Sequence, residues 1–258
     1  MSESLPSLLD VIEAREQIEG GRESLTHLCY VATTTDVPSA IRFHEKAMLK
    51  YARGTDTSID RPATGILLSQ EGLLLHYIEA PAAITTAVLV AVQDYGRKKP
   101  WNNVRILVAS EDCNIRYFDS WSRPRQANVA DEGDQPSPSG EEATEQAFEL
   151  VVTLANIGHK LSDLSFQDQS NNQSNKFFSG GINWCDVDAR GPSKLPKGAD
   201  TLINTCCPSN GRLKAFSVSD AFLTIDEFID LFHAPISVHL NSEVTWPYQS
   251  SIDYSGLS

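Results

Sequence analysis

With 258 residues, 41% of them hydrophobic, the chain can bury a substantial core, while a formal charge of −13 works against nucleic-acid or anionic-membrane partners, which need a basic footprint. Much of that charge is local: Asp131, Glu132, Asp134, Glu141, Glu142 and Glu145 share the stretch 131–146, which has no Lys or Arg. No apolar run approaches the roughly 20 residues of a membrane span, and Met-Ser-Glu-Ser-Leu-Pro lacks the basic start of a secretory leader, so a cytosolic protein is expected.

Leu5 to Ile18 carries Leu5, Leu8, Leu9 and Ile12 on one helical face and stops at Gly20-Gly21, predicting an amphipathic N-terminal arm. Ser24 to Thr33 alternates and then turns apolar, the pattern of a first strand, and Asp36 is placed to cap a helix over Pro38 to Tyr51. Ala63 to Ala80 organises the rest. Its two apolar runs, Gly65 to Leu68 and Leu73 to Ile78, flank a polar tetrad ending in Glu71-Gly72, the composition of a hairpin whose turn needs a positive φ. Such unbroken runs suit central strands, so helices must cover them.

Pro81 opens a second helix with Ile84, Ala87, Val88, Ala91, Val92 and Tyr95 at three- and four-residue spacing, ending in Arg97-Lys98-Lys99, where cations suit the helix dipole. Val104 to Ala109 is a fourth strand, and Asn114 to Trp121 a candidate fifth edge segment. The order β-α-β-β-α-β predicts an α+β, ferredoxin-like sheet with two helices on one face, over residues 24–122. Residues 123–140, rich in Pro, Ser, Asp and Glu, read as an acidic flexible loop, in which Ser137-Pro138 is a solvated serine or a phosphate acceptor.

Residues 141–258 form a C-terminal helix and extension expected to pack on the core or on partners. Glu141 to Leu164 is amphipathic through Ala147, Phe148, Val151, Leu154, Ala155 and Leu161, with its acids in the first turn. Ser165 to Ala199 reads as a long irregular excursion bearing Phe177, Phe178, Ile182 and Trp184, large apolar side chains that must dock on the body or on a partner. Thr224-Ile-Asp-Glu227 is a capping box ahead of Phe228, Ile229 and Phe232, and Pro235 ends that helix. A strand-like start at Ile236 leads into the terminal Trp246-Pro247-Tyr248.

Chemistry-bearing patterns are sparse. His76 and Glu79 are three apart on one strand and face opposite ways, so they make neither a metal pair nor an acid–base dyad, and a tucked-in histidine is the simple reading. Cys29, Cys113, Cys185, Cys206 and Cys207 match no zinc or Cys-x-x-Cys spacing, and the vicinal pair rarely meets bridge geometry, so reduced packing thiols are expected. The sequon Asn172-Gln173-Ser174 would matter only in a secreted chain. There is no nucleophile elbow, phosphate-cradling Gly-rich loop or His-Glu-x-x-His, so no catalytic, cofactor-binding or metal residue is assigned and a non-enzyme is expected.

Four motifs together resemble a BLUF domain, a flavin-based blue-light sensor on a ferredoxin-like sheet: Leu28-Cys29-Tyr30, Ala63-Thr64-Gly65-Ile66-Leu67, Gly72 to Ala80, and Phe118-Asp119-Ser120-Trp121-Ser122-Arg123. That family's photocycle uses a tyrosine, a glutamine and an asparagine around the flavin. Tyr30 keeps the first position, but His76 stands at the glutamine, Thr57 and Ser58 at the asparagine, and Arg123 at a final methionine. The resemblance therefore implies a degenerate scaffold with no flavin or other cofactor. The whole layout is similar to the testis-expressed protein forty-seven family of motile cilia and sperm flagella. That implies a non-catalytic structural or adaptor subunit of an axoneme, near a radial spoke or the nexin-dynein regulatory complex, with other axonemal proteins as partners, cytoplasmic or axonemal in location, and without nucleic acid or membrane. The alternatives are a flavin-binding BLUF photoreceptor and a small-molecule-regulated module using the pocket near His76.

Overall fold

The computed structural model describes residues 24–52, 63–99, 101–124, 136–138, 140–172, 195–196 and 198–232. The N-terminal arm, Thr57 and Ser58, most of the acidic loop, Cys185, the large apolar residues Phe177, Phe178, Ile182 and Trp184, Pro235 and the stretch 236–258 lie outside the described residues.

The elements run β1 (Leu25–Thr34), α1 (Val37–Ala52), β2 (Thr64–Gln70), β3 (Leu73–Ala80), α2 (Ala82–Lys98), β4 (Trp101–Cys113), β5 (Trp121–Ser122), α3 (Gly140–Asn172), α4 (Ala199–Cys206), α5 (Asn210–Val218), β6 (Leu223–Thr224) and α6 (Ile225–Phe232). The sheet order is β5-β2-β3-β1-β4-β6. Its four long strands run antiparallel to one another. The path β1-α1-β2 steps over β3 and β3-α2-β4 steps over β1, which is the pair of interleaved split βαβ units of a ferredoxin-like fold. The expected fifth segment is real but shorter than its sequence suggests: only Trp121 and Ser122 pair, parallel to Gly65 and Ile66 of β2.

The hairpin turn is tighter than the polar tetrad implies, because Ser69 and Gln70 stay in β2. Glu71 and Gly72 alone make it, both with positive φ (39° and 88°), the backbone of a type I′ turn that matches strand twist. Asp36 caps α1 as expected, its Oδ1 accepting the Ser39 N–H at 3.1 Å.

Both faces of the sheet are covered, which is why β2 and β3 read as unbroken apolar runs. On one face Leu28, Tyr30, Leu67, Leu74 and Ile78 pack against α1, α2 and α6. On the other, Cys29, Val31, Ile66, Leu68, Leu75 and Tyr77 meet α3, α4 and α5. The stripe that α3 buries is Ala143, Ala147, Leu150, Leu154, Ile157 and Leu161, alternating spacings of four and three. Phe148, expected in that stripe, is 66% exposed. It follows Ala147 directly and so points about 100° away from the seam. A Cβ on Gly158 would sit 2.4 Å from the Tyr117 carbonyl oxygen, so glycine there lets α3 lie directly on the 116–118 segment.

The irregular excursion expected over 165–199 is partly helical: α3 continues to Asn172 and α4 begins at Ala199. Sequence periodicity also passes over α5. Gly211, Leu213, Ala215, Phe216 and Ser217 are all buried, so α5 has no polar face to generate a helical rhythm. The capping box forms as expected: Glu227 Oε2 accepts from the Thr224 N–H at 2.8 Å, and Thr224 Oγ1 from the Glu227 N–H at 3.2 Å. Cys29, Cys113, Cys206 and Cys207 are free thiols. Among the described residues no helix is long and apolar enough to cross a membrane.

Leu154 is fully buried at the centre of the α3 seam, so Leu154→Ala should cost about 2–5 kcal/mol in a urea melt, whereas Phe148→Ala should stay within about 0.5 kcal/mol.

Candidate functional site

Tyr30 and His76 are directly paired across β1 and β3 and face the α1/α2 layer together. Position 44 of α1 lies four residues from both Ala40 and Met48 on the buried helix face, which brings His44 over the same spot. Trp121 arrives from the sheet edge through β5. The four side chains make one hydrogen-bonded row. Tyr30 Oη lies 2.7 Å from His44 Nε2 and 2.8 Å from His76 Nδ1. Trp121 Nε1 donates to His76 Nε2 at 2.9 Å, and His44 Nδ1 lies 2.8 Å from the Ala40 carbonyl oxygen.

Those contacts fix the protons. Indole N–H can only donate and a carbonyl can only accept. His76 Nε2 is therefore bare, its Nδ1–H donates to Tyr30, the Tyr30 hydroxyl donates to His44 Nε2, and His44 Nδ1–H donates to Ala40. Every polar atom in the row is used and all the bonds point one way. Burial disfavours the charged imidazolium: the His44 pKa is pushed down to about 4 by desolvation. Desolvation, with the neighbouring His44 adding to it, holds His76 well below the usual histidine range. Desolvation likewise raises the Tyr30 phenol well above its ordinary value. The row is a neutral, structural one at physiological pH. His44 also lies flat on Trp101, ring centroids 5.3 Å apart.

Glu79 faces the other way, as the strand alternation requires, and is equally buried. Its Oε1 accepts the Tyr117 N–H at 2.8 Å, and its Oε2 accepts Thr64 Oγ1–H at 2.8 Å and the Phe118 N–H at 3.2 Å. Arg116 Nη1 donates to Thr64 Oγ1 at 3.0 Å and to the Glu79 carbonyl oxygen at 3.2 Å. The carboxylate is a staple that holds the 116–118 segment on the sheet, and its lone pairs are committed to that task. Gly65, from the Thr-Gly motif, has φ +135°, and a Cβ there would lie 2.1 Å from the Tyr77 carbonyl oxygen, so the glycine is a backbone requirement.

Tyr30 and His76, which the BLUF resemblance sets at one centre, are in hydrogen-bond contact, and Trp121 of the closing motif joins them through His76. His44 escapes the sequence reading because no motif marks that position; its place between Ala40 and Met48 on the buried stripe is the signal that could have found it. Arg123, at the motif's final position, turns outward to Glu45, Nε to Oε1 at 2.7 Å.

A flavin does not fit these residues. An isoalloxazine needs free donors and acceptors and a ring-sized space, yet the polar atoms of Tyr30, His44, His76 and Trp121 are taken up by one another and the side chains are at most 5% exposed. A cavity on the opposite face, lined by Ser120, Ser122, Gly158, Ser162 and Pro196, offers only about 50 Å³, against the several hundred Å³ of ordinary ligand pockets. Among the described residues no group of three or more His, Cys, Asp or Glu is arranged to hold a metal.

A family model described as testis-expressed protein 47 matches residues 25–179, more than half of the chain. No curated protein matches the chain significantly. Among solved structures, one titled BlrP1 BLUF is 15% identical, with 48% of this chain and 74% of that one covered at a TM-score of 0.31. A bacterial light-regulated adenylyl cyclase is 17% identical, with 59% of this chain and 36% of that one covered at a TM-score of 0.30.

His44 and His76 have folded-state pKa values below the unfolded value near 6.5, so on acidification the unfolded chain takes up protons first. Stability should be complete above about pH 6.5 and fall by roughly 1.4 kcal/mol per pH unit per histidine below it. His44 stops contributing to that slope near pH 4, where it protonates in the folded chain. In urea melts across that window, His76→Gln, whose amide can both accept from Trp121 and donate to Tyr30, should fold normally and lose one histidine's share of the slope. His76→Leu strands the Trp121 N–H and should cost about 1–3 kcal/mol.

Proposed function

The chain belongs to the testis-expressed protein 47 family, and on that footing we propose that it is a non-catalytic structural or adaptor subunit of a motile cilium or sperm flagellum. Its place in this reading is an axonemal assembly of the radial-spoke or nexin-dynein regulatory kind, reached from the cytoplasm, with other axonemal proteins as partners and no nucleic acid or membrane. The observation that supports it is that the polar atoms of the buried row, and those of Glu79, are already committed within the chain. Tyr30, His44, His76 and Trp121 satisfy one another, and Glu79 spends its oxygens on the backbone of Tyr117 and Phe118 and on Thr64. Groups so committed are poor general acids, bases or ligand anchors, because any use of them first breaks a buried hydrogen bond. What such a framework can offer a larger assembly is a stable shape and an outer surface.

In ciliated or flagellated cells, the tagged protein should stay with the axoneme after detergent extraction and leave only in high salt or denaturant; release with the detergent-soluble fraction overturns the assignment. Protein expressed with excess riboflavin should be colourless after purification, and a visible flavin band that shifts on blue illumination would replace the structural reading with a photoreceptor.

A further inference from the structure

The charges of this acidic chain are not mixed evenly over its surface. On α1, Arg42, Lys46 and Lys50 follow one another every fourth residue and all three are exposed. They line about 12 Å of helix at 1.5 Å per residue. Cations four apart on one helix face repel each other, a cost offset locally by the Arg42–Ser39 hydrogen bond at 3.0 Å and by Lys50 lying over the Tyr51 ring. Glu45, the acid within α1, is turned aside to Arg123 at 2.7 Å. At the start of α1 the row continues onto the end of α2. The Asp36 carboxyl, lowered first by its Ser39 hydrogen bonds, also feels both Lys99 and Arg42. Lys98 and Lys99 are exposed at that corner, while neighbouring Arg97 is engaged with Asp226 at 3.1 Å. Beyond the sheet, α3 exposes Glu141, Glu142, Glu145 and Glu149 instead.

We propose that Arg42, Lys46 and Lys50, continued by Lys98 and Lys99, form a docking strip for an acidic polypeptide segment carried by a partner protein. The assignment deepens the assembly role proposed above and rests on it for the setting in which such a partner is met. Two physical arguments select this occupant. Four helical residues rise about 6 Å, close to the roughly 6.6 Å between same-side residues of an extended chain, so alternate carboxylates of a Glu-rich segment fall in step with the cations. Range is the second argument. A thin peptide lying on the strip is within the Debye length of about 8 Å at physiological salt and senses the local cations, whereas the acidic α3 face lies two packed layers away. A DNA duplex or an anionic bilayer is a much larger body that meets the −13 of the whole chain.

The test is a fluorescence-anisotropy titration of the full chain into a labelled twelve-residue polyglutamate, at low and at high salt. Saturable binding that weakens steeply with salt is expected, and R42Q/K46Q/K50Q should lose about tenfold in affinity, the scale of three exposed ion pairs. The three side chains are exposed, so the same variant should keep a cooperative melt close to that of the parent, and a loss of binding is then not a loss of fold. Lys160→Gln, on α3, should bind as the parent does. The strip is overturned if binding is absent or insensitive to salt, if the triple variant binds equally well, or if duplex DNA or phosphatidylserine vesicles bind more tightly than the peptide. Peptide binding by a chain that is absent from axonemes would sink the assembly role and leave the strip standing; an axonemal chain indifferent to the peptide would do the reverse.

Discussion

The short return from Arg116 to Trp121 satisfies buried polar groups on both faces of the sheet, and the rest of the architecture depends on it. β3 is covered on both sides yet carries His76 toward one face and Glu79 toward the other. An unpaired polar group at such depth costs as much as a lost hydrogen bond and a buried unpaired charge costs more. Glu79 takes the Tyr117 and Phe118 amides; three residues on, Trp121 supplies the donor for His76. The same return places β5 against β2 and offers the Tyr117 carbonyl that Gly158 of α3 approaches. Pinning this segment therefore joins the helices of one layer to the helices of the other through the strand between them.

An imidazole rather than an amide at position 76 limits what the centre can do. A glutamine amide can rotate and exchange its donor and acceptor ends, so it can answer two states of a ligand. An imidazole held at both nitrogens has one arrangement here, because Trp121 can only donate and the Ala40 carbonyl at the far end can only accept. The row is directional and has no second arrangement of equal energy. Such a network rigidifies a core and specifies it, at the cost of responsiveness.

Much of the fold is legible in the sequence for local reasons. Asp36 before α1, Glu71-Gly72 between two apolar runs, Pro81 before α2 and the Thr224–Glu227 box each encode a backbone event within a few residues, and each is present. What escapes is set by distance along the chain. Trp121 pairs with β2 residues more than fifty positions earlier, so the span and direction of β5 depend on Glu79 rather than on its own composition. α5 is hidden by being buried nearly all round, and Phe148 misleads because a helix with apolar residues at adjacent positions does not say which one faces inward. At the site, motif comparison marks Tyr30, His76 and Trp121, but only packing reveals that His44 completes the row.

Covering both faces also decides where a partner can attach. In a split βαβ domain with helices on one side, the bare face of the sheet is the natural place for an intermolecular layer. Here α3, α4 and α5 occupy it, burying Leu150, Leu154, Ile203 and Phe216 against the strands. The two sheet margins carry short strips, β5 beside β2 and β6 beside part of β4, and the open end of β4 exposes Ser110, Glu111 and Asp112, charged and polar residues that discourage edge-to-edge growth. Contact through the sheet would need one of these covers to be displaced, at the cost of the hydrophobic burial that holds the molecule together. The outward faces of the helices carry no such penalty. On those faces α1 carries a run of cations and the first turns of α3 a run of acids, while α6, beside α2, exposes Asp226, Glu227 and Asp230, so the charge a neighbour would meet differs from helix to helix rather than from layer to layer.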